Sequence, residues 1–437
     1  MKAIPFFISI FFASSILAQE VLTVEDAIRQ GLLNNYDIKI ARVSEEIGIN
    51  DATIGNAGLL PTVDLQGQQN WASQNVNQQF FNGNENIRDG ARSQNLNGSA
   101  NFTWTLFNGL GMFYTLDRLN VLREANAFNT KVTMENAIAD LLTAYYTVVL
   151  ENERLKVLDN TIQLSERRTE IAKNKYDVGK SSKVEYLAAQ VDQNADITLR
   201  LQVIERLNNA KIDLNRLMAR DLNSQFEVSN LIDINGEFQL EALLNSANLK
   251  NASLLLAQRN LNANYLQIQE IRAERYPRID FFSSYTYSKS TSEAGFLESN
   301  RQDGYNYGFR ATVNVFDGFN TNRRSQNAKL SAQIGELEIK NQTLNIDSDI
   351  SKVFTSYRNS LNLIDLESQN LDVALENEEI ALERYRLGNS TALELREAQT
   401  NAVEVESRLL NARYSTKISE IELLRLSGSL IQPAASE

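Results

Sequence analysis

Leu96-Asn97-Gly98-Ser99-Ala100-Asn101-Phe102-Thr103-Trp104-Thr105-Leu106-Phe107-Asn108-Gly109 is the passage on which the fold turns. Leu96, Gly98, Ala100, Phe102, Trp104 and Leu106 alternate with Asn97, Ser99, Asn101, Thr103 and Thr105, the period of a strand with one apolar and one polar face. At Asn108-Gly109 the pattern changes. Met112 to Val178 contains neither Gly nor Pro, the mark of a very long helix. The glycine permits a tight turn, and the asparagine can cap the helix that follows.

The passage occurs twice. Tyr305, Tyr307, Phe309, Ala311, Val313 and Val315 alternate with Asn306, Gly308, Arg310, Thr312 and Asn314, and Val315-Phe316-Asp317-Gly318 stands 209 residues after Leu106-Phe107-Asn108-Gly109. The same shift relates Tyr176-Asp177-Val178-Gly179-Lys180-Ser181-Ser182 to Tyr385-Arg386-Leu387-Gly388-Asn389-Ser390-Thr391. Before Phe107 the shift is 216, pairing Glu25 with Glu241, Asn35 with Asn251 and Pro61 with Pro277. One unit is therefore duplicated, and a repeat of this length implies two similar halves about a pseudo-symmetry axis rather than a short-period solenoid.

Each half reads helix, strand, strand, long helix, glycine turn, long helix. The first runs over 19–219, with strands at 62–72 and 95–107 and helices at 112–178 and 181–219. A linker, 220–237, leads to the second at 238–428, with strands at 278–288 and 305–316, helices at 319–387 and 390–427, and a tail at 429–437. Pro61 and Pro277 each fall where a helical pattern gives way to a strand, a place where proline ends the helix and fixes the exit direction. The polar stretches Ser73 to Gln94 and Lys289 to Gly304 read as exposed loops.

Helices of this length call for coiled-coil packing. Leu141, Val148, Leu155, Ile162 and Tyr176 lie on one heptad register, and Ile350, Tyr357, Ile364, Leu371 and Tyr385 on its counterpart. Small residues three places on, such as Ala144, Ala172, Ala374 and Ala381, permit close approach.

Lys2, the apolar run from Ile4 to Leu17 and Ala18 predict a secretory signal over 1–18. There is no cysteine, hence no disulfide and no lipidated thiol, and no histidine, the commonest general base and transition-metal ligand. No cofactor or metal site is expected. A net charge of −12 disfavours nucleic acid and anionic membrane surfaces as partners. Carboxylates fall on helical periodicities, and no phosphate loop or nucleophile elbow is present, so no enzymatic activity is expected.

No run of the mature chain is long enough for a transmembrane helix, so any membrane span must be built of strands. Segments of about ten residues with one aromatic, apolar face are what transmembrane barrels use. A soluble sheet with one buried face is the plainer reading. Against it, the other face is Asn, Thr, Ser and Gln, which suits a watery lumen. Four strands cannot close a barrel, and an open edge in lipid leaves backbone groups unsatisfied, so several copies would have to complete it. Two, three or four copies satisfy that argument equally. The rival is a soluble periplasmic coiled-coil adaptor or scaffold, which gives no reason for matched aromatic strands in both halves.

The doubling, the Pro before each first strand, the Phe-x-Gly after each second strand and the Tyr-x-x-Gly turns together resemble the TolC-like outer-membrane efflux proteins over essentially the whole mature chain. The resemblance implies a homotrimer with a twelve-stranded outer-membrane barrel and a periplasmic helical tube. It would be the exit duct of a tripartite efflux or type I secretion system, receiving substrate from an inner-membrane transporter and docked by a periplasmic adaptor. Val178-Gly179 and Leu387-Gly388 are then the expected docking tips, although each glycine is also an ordinary helix cap. Glu394 and Glu397, with Glu185 in the other half, match acidic positions that narrow and charge the pore entrance. On exposed helices such glutamates more often mark a solvated face. Tyr385 matches a position that helps hold the entrance closed and also belongs to the heptad seam. Ser390 stands where the family prototype carries a base, so its ion pairing does not transfer; Lys180 and Lys183 are the candidate cations.

Overall fold

The computed structural model describes residues 21–229, 232–234 and 236–431; the expected signal, 1–18, and the end of the tail lie outside them. In chain order the elements are β1 (Val21–Leu22), α1 (Val24–Asn34), α2 (Tyr36–Asp51), β2 (Thr62–Gln79), β3 (Glu85–Asn108), α3 (Gly111–Asp177), α4 (Lys183–Leu217), β4 (Glu227–Val228), α5 (Leu240–Lys250), α6 (Ala252–Ala273), β5 (Arg278–Ser292), β6 (Ser299–Thr312), α7 (Asn320–Leu387) and α8 (Ala392–Leu426). The chain is mainly helical, and α3 and α7 each exceed sixty residues. Among the described residues no helix is long and apolar enough to cross a membrane.

The two longest helices start where side chains satisfy their first amides. Asn108 Oδ1 accepts from Met112 N at 3.1 Å, and Asp317 Oδ2 accepts from Thr321 N at 2.7 Å. Two consecutive residues take positive φ at each site, Gly109 with Leu110 and Gly318 with Phe319. At Gly109 a side chain is also excluded by space, since a Cβ there would lie 2.3 Å from Ala273 O.

The chain forms two compact units. The helical unit takes residues up to Ile40, Val132–Asn251, and Ile346 onward. Its core joins Leu22, Leu141, Tyr145, Val148, Leu214, Met218 and Phe226, and Tyr145 Oη donates to Leu22 O at 3.0 Å. One polar contact occurs in both halves: Asn35 Nδ2 donates to Leu217 O and Asn251 Nδ2 to Leu426 O, each at 2.9 Å. The heptad residues Leu141, Val148, Ile350, Tyr357 and Tyr385 are buried, but Tyr176 is exposed and stacks on Tyr186 instead.

The second unit, Ala41–Lys131 with Ala252–Asn345, holds an antiparallel sheet in the order β2-β3-β5-β6. Its strands begin directly after Pro61 and Pro277. The expected loops at 73–94 and 289–304 are mostly strand: β2 runs on to Gln79, β3 starts at Glu85, β5 reaches Ser292 and β6 starts at Ser299. Polarity misled there because a hairpin wet on both faces needs no apolar alternation; its backbone ladder is enough. β6 instead stops at Thr312, short of the expected Phe316. Thr312 pairs with Arg278, the first residue of β5, so Val313 to Phe316 have no ladder to join.

Candidate functional site

Two regions gather the residues singled out above. In the sheet, register decides which side chains share a face. Val63 pairs with Phe102, Phe102 with Ser283 and Ser283 with Tyr307; Leu65, Ala100, Tyr285 and Tyr305 form the next rung; Trp104, Phe281 and Phe309 form another. Their rings touch edge-on or tilted, Phe102 with Phe281 at 6.0 Å, Phe281 with Phe309 at 5.4 Å and Tyr285 with Tyr305 at 4.9 Å. The opposite face carries Asp64, Asn101, Ser284 and Asn306 on one rung and Gln68, Asn97, Ser288 and Gln302 on another. The sheet thus has one aromatic and one polar face, and the aromatic one is bare: Tyr305, Tyr307 and Phe309 are each more than 70% exposed. Among the described residues the outer edges of β2 and β6 have no partner strand.

The second region is the pair of glycine turns. Gly179 and Gly388 have φ of +73° and +81°. Each completes a Schellman motif: Gly388 N donates to Tyr385 O and Asn389 N to Arg384 O, while Gly179 N donates to Tyr176 O and Lys180 N to Lys175 O. Ser182 and Thr391 then cap α4 and α8 through the amides of Glu185 and Glu394. Val178 and Leu387 protrude, 68% and 69% exposed, at a cleft of about 770 Å³ that is also lined by Lys180, Glu185 and Gly388.

Glu185 and Tyr385 meet. Tyr385 Oη donates to Glu185 Oε1 at 2.9 Å, and Ser181 Oγ donates to Glu185 Oε2 at 2.5 Å. Burial, then the Glu185 carboxylate, raise the Tyr385 phenol, which stays a donor. Lys175, not singled out from sequence, completes the cluster. Its Nζ lies 3.8 Å from the centre of the Tyr385 ring and donates to the Tyr385 carbonyl at 2.5 Å. One signal pointed to it, since a base precedes the tyrosine in both copies, Lys175-Tyr176 and Arg384-Tyr385. The candidate cations Lys180 and Lys183 form no ion pair among the described residues. Ser390 Oγ is buried without a partner. Glu394 and Glu397 are exposed on one face of α8 and line a cleft with Arg384 and Asn401, apart from the Glu185–Tyr385 bond.

Farther along the same helices lies a polar network that the sequence did not reveal. Arg168 of α3, 1% exposed, donates to Asp192 of α4 at 2.8 Å and to Gln399 of α8 at 3.3 Å. Arg396 of α8 reaches Asp192 at 3.8 Å and Asp196 at 3.3 Å. Three helices from both halves are tied by two arginines and two aspartates.

The family model described as outer membrane efflux protein matches residues 27–220 and 243–429. The outer membrane protein TolC of Escherichia coli is 21% identical over 74% of this chain and 74% of its own length. The proteases secretion protein PrtF of Dickeya chrysanthemi is 20% identical over 93% of this chain and 88% of its own. In fold, the CmeC outer membrane channel of Campylobacter jejuni superposes with a TM-score of 0.81 at 16% identity, covering 94% of this chain and 87% of that one.

Proposed function

The chain belongs to the outer membrane efflux protein family, resides in the outer membrane with a periplasmic extension and is an exit channel for efflux or secretion; from that premise we propose that it is the outer-membrane duct of a tripartite export system. One observation carries the reading: a four-stranded sheet with a bare aromatic face and two unpartnered edges. Such a sheet is tolerated in lipid only when other strands complete it. Three copies give a barrel of twelve strands, with the aromatic face toward lipid and the Asn, Ser, Thr and Gln face toward a watery lumen. The family resemblance supports three over two or four.

The helical unit supplies the periplasmic tube. Its glycine turns form the entrance, where Val178-Gly179 and Leu387-Gly388 offer small apolar knobs to a periplasmic adaptor, which couples the duct to an inner-membrane transporter. The Tyr385–Glu185 hydrogen bond ties the second-half turn to the first-half turn and holds the entrance shut. Glu394 and Glu397 have no ion-pair partner among the described residues. Repeated in three copies they set a negative potential that admits cations first.

Planar-bilayer recording tests this reading. The wild type is expected to form cation-preferring pores of small conductance. Changing Glu394 and Glu397 together to Ala is expected to reduce the cation preference. Unchanged selectivity would place these carboxylates on a solvated helix face, and no pore at all would refute the channel.

A further inference from the structure

We propose that the rim of the aromatic face, at the end nearest the hairpin tips, binds the phosphorylated headgroup of an outer-leaflet glycolipid, through Lys289, Arg301 and Arg92. The proposal rests on the reading that the aromatic face meets lipid. From Ile279 to Tyr287 the strand rises about 26 Å at roughly 3.3 Å per residue, which at a strand tilt near 40° spans about 20 Å of bilayer. The next rung on that face is Lys289, directly opposite Arg301. Like charges facing each other on neighbouring strands are destabilising. A protein that keeps such a pair at the edge of its lipid band is keeping it for an anion.

Neighbouring contacts leave the rung cationic. Arg301 lies over the Tyr287 ring at 5.3 Å and reaches Asp303 at 3.7 Å, while Asp303 also accepts from Tyr285 Oη at 3.3 Å. Hence the Asp303 carboxylate is already engaged. The Lys289 ammonium has no hydrogen bond or ion pair among the described residues, and it is exposed. Arg92 lies on the same face of β3, two rungs beyond Leu96, which pairs with Lys289. Its guanidinium also has no partner among the described residues. Glu293 accepts from the Arg92 backbone amide at 3.0 Å, and Glu298 lines the same cleft as Trp71, Arg92 and Ser299. Three bases on three adjacent strands, β3, β5 and β6, just above a belt of tyrosines, match the level at which headgroup phosphates sit. Hydrogen bonds from arginine and lysine to phosphate are charge-assisted.

The test uses the full mature chain in phosphatidylethanolamine vesicles containing either phosphorylated lipid A or the same lipid stripped of its phosphates. Lipid retained after detergent extraction is counted by native mass spectrometry. Preferential retention of the phosphorylated form is expected. Arg92→Gln, Lys289→Gln and Arg301→Gln together should lower it on the order of tenfold or more, with unit conductance unchanged. Lys289→Gln alone removes no internal contact and should shift retention in the same direction. Equal retention of the two lipids, or a triple variant that keeps the phosphorylated one, overturns the proposal. Displacement of the lipid by millimolar inorganic phosphate would assign the site to the free anion and overturns it as well. Normal conductance without lipid preference strikes this proposal alone, whereas absence of conductance in both vesicle types strikes the channel reading on which it rests.

Discussion

A side chain at Gly388 would meet nothing within 4 Å, so what the turn demands there is conformation, not space. With φ at +81°, a β-branched residue costs roughly 1–3 kcal/mol of backbone strain. Gly388→Val should therefore distort one tip while the sheet, in the other unit, assembles normally. The expected result is lost export with a normal quantity of heat-modifiable oligomer on gels; normal export would remove the tip from the docking argument. Tyr385→Phe is a subtler change. It keeps the ring under Lys175 and deletes only the hydrogen bond to Glu185. A hydrogen bond to a charged group contributes roughly 1.5–3 kcal/mol, enough to shift a closed–open equilibrium on the order of ten- to a hundredfold. Bilayer recordings of the variant should show longer or larger openings, and unchanged traces would mean that the bond latches nothing. Sequence position singled out Glu185 and Tyr385 separately. Their contact spans both halves of the chain, and nothing local announces it.

Among elements, the long helices were the most legible. Heptads, the glycine turns and the Asn or Asp caps are local in sequence, so Leu141 through Val148 and Ile350 through Tyr357 could be placed without the structure. The bridges between helices could not. Arg168 is one charged residue on a charged helix until α4 and α8 enclose it. Its Nε and Gln399 Nε2 remain unpaired, which fits a network kept for specificity more than for stability. Arg168→Met alone leaves the part-exposed Asp192 with only the longer contact to Arg396 and should destabilise the helical unit by roughly 1.5–3 kcal/mol. Arg168→Met with Asp192→Leu should recover part of that loss in thermal melts; a double variant no better than the single would mean that the pair is not coupled.

Glu378 of α7 gives the helical unit a pH dependence. Burial, then the Glu406 carboxylate on α8, push it up to about 6, and Glu406 is itself raised by burial and by Glu153. An acid whose folded pKa lies above its ordinary 4.5 binds its proton more tightly in the native state. The contribution of this one group to stability is therefore greatest below about 4.5 and is lost as the pH rises through 6. Because the group is half-exposed, the loss is about 1 kcal/mol once solvent screening is allowed for. Glu378→Gln should raise the melting temperature at pH 7.5 and leave it unchanged near pH 4. A gain of equal size at both would show that the carboxylate is not the cause.

In the whole molecule, the sheet is what ties the chain to the membrane and to its sister copies. With Phe282 the exception, it sorts aromatic from polar side chains, an outcome the alternation of Leu96 to Leu106 and Tyr305 to Ala311 already contained. What sequence could not give was the reach of the hairpins, because the residues beyond Trp71 and Lys289 are polar on both faces and period-two alternation carries no signal there. Nor could periodicity alone set the number of copies. The two bare edges make completion by sister chains the claim from which the lumen, the entrance and the lipid rim follow.

The mass of the detergent-solubilised complex, measured by native mass spectrometry, tests that claim most directly. Three copies of the mature chain are expected, stable until heated. A single-copy, monodisperse particle that persists after the detergent is withdrawn would contradict it.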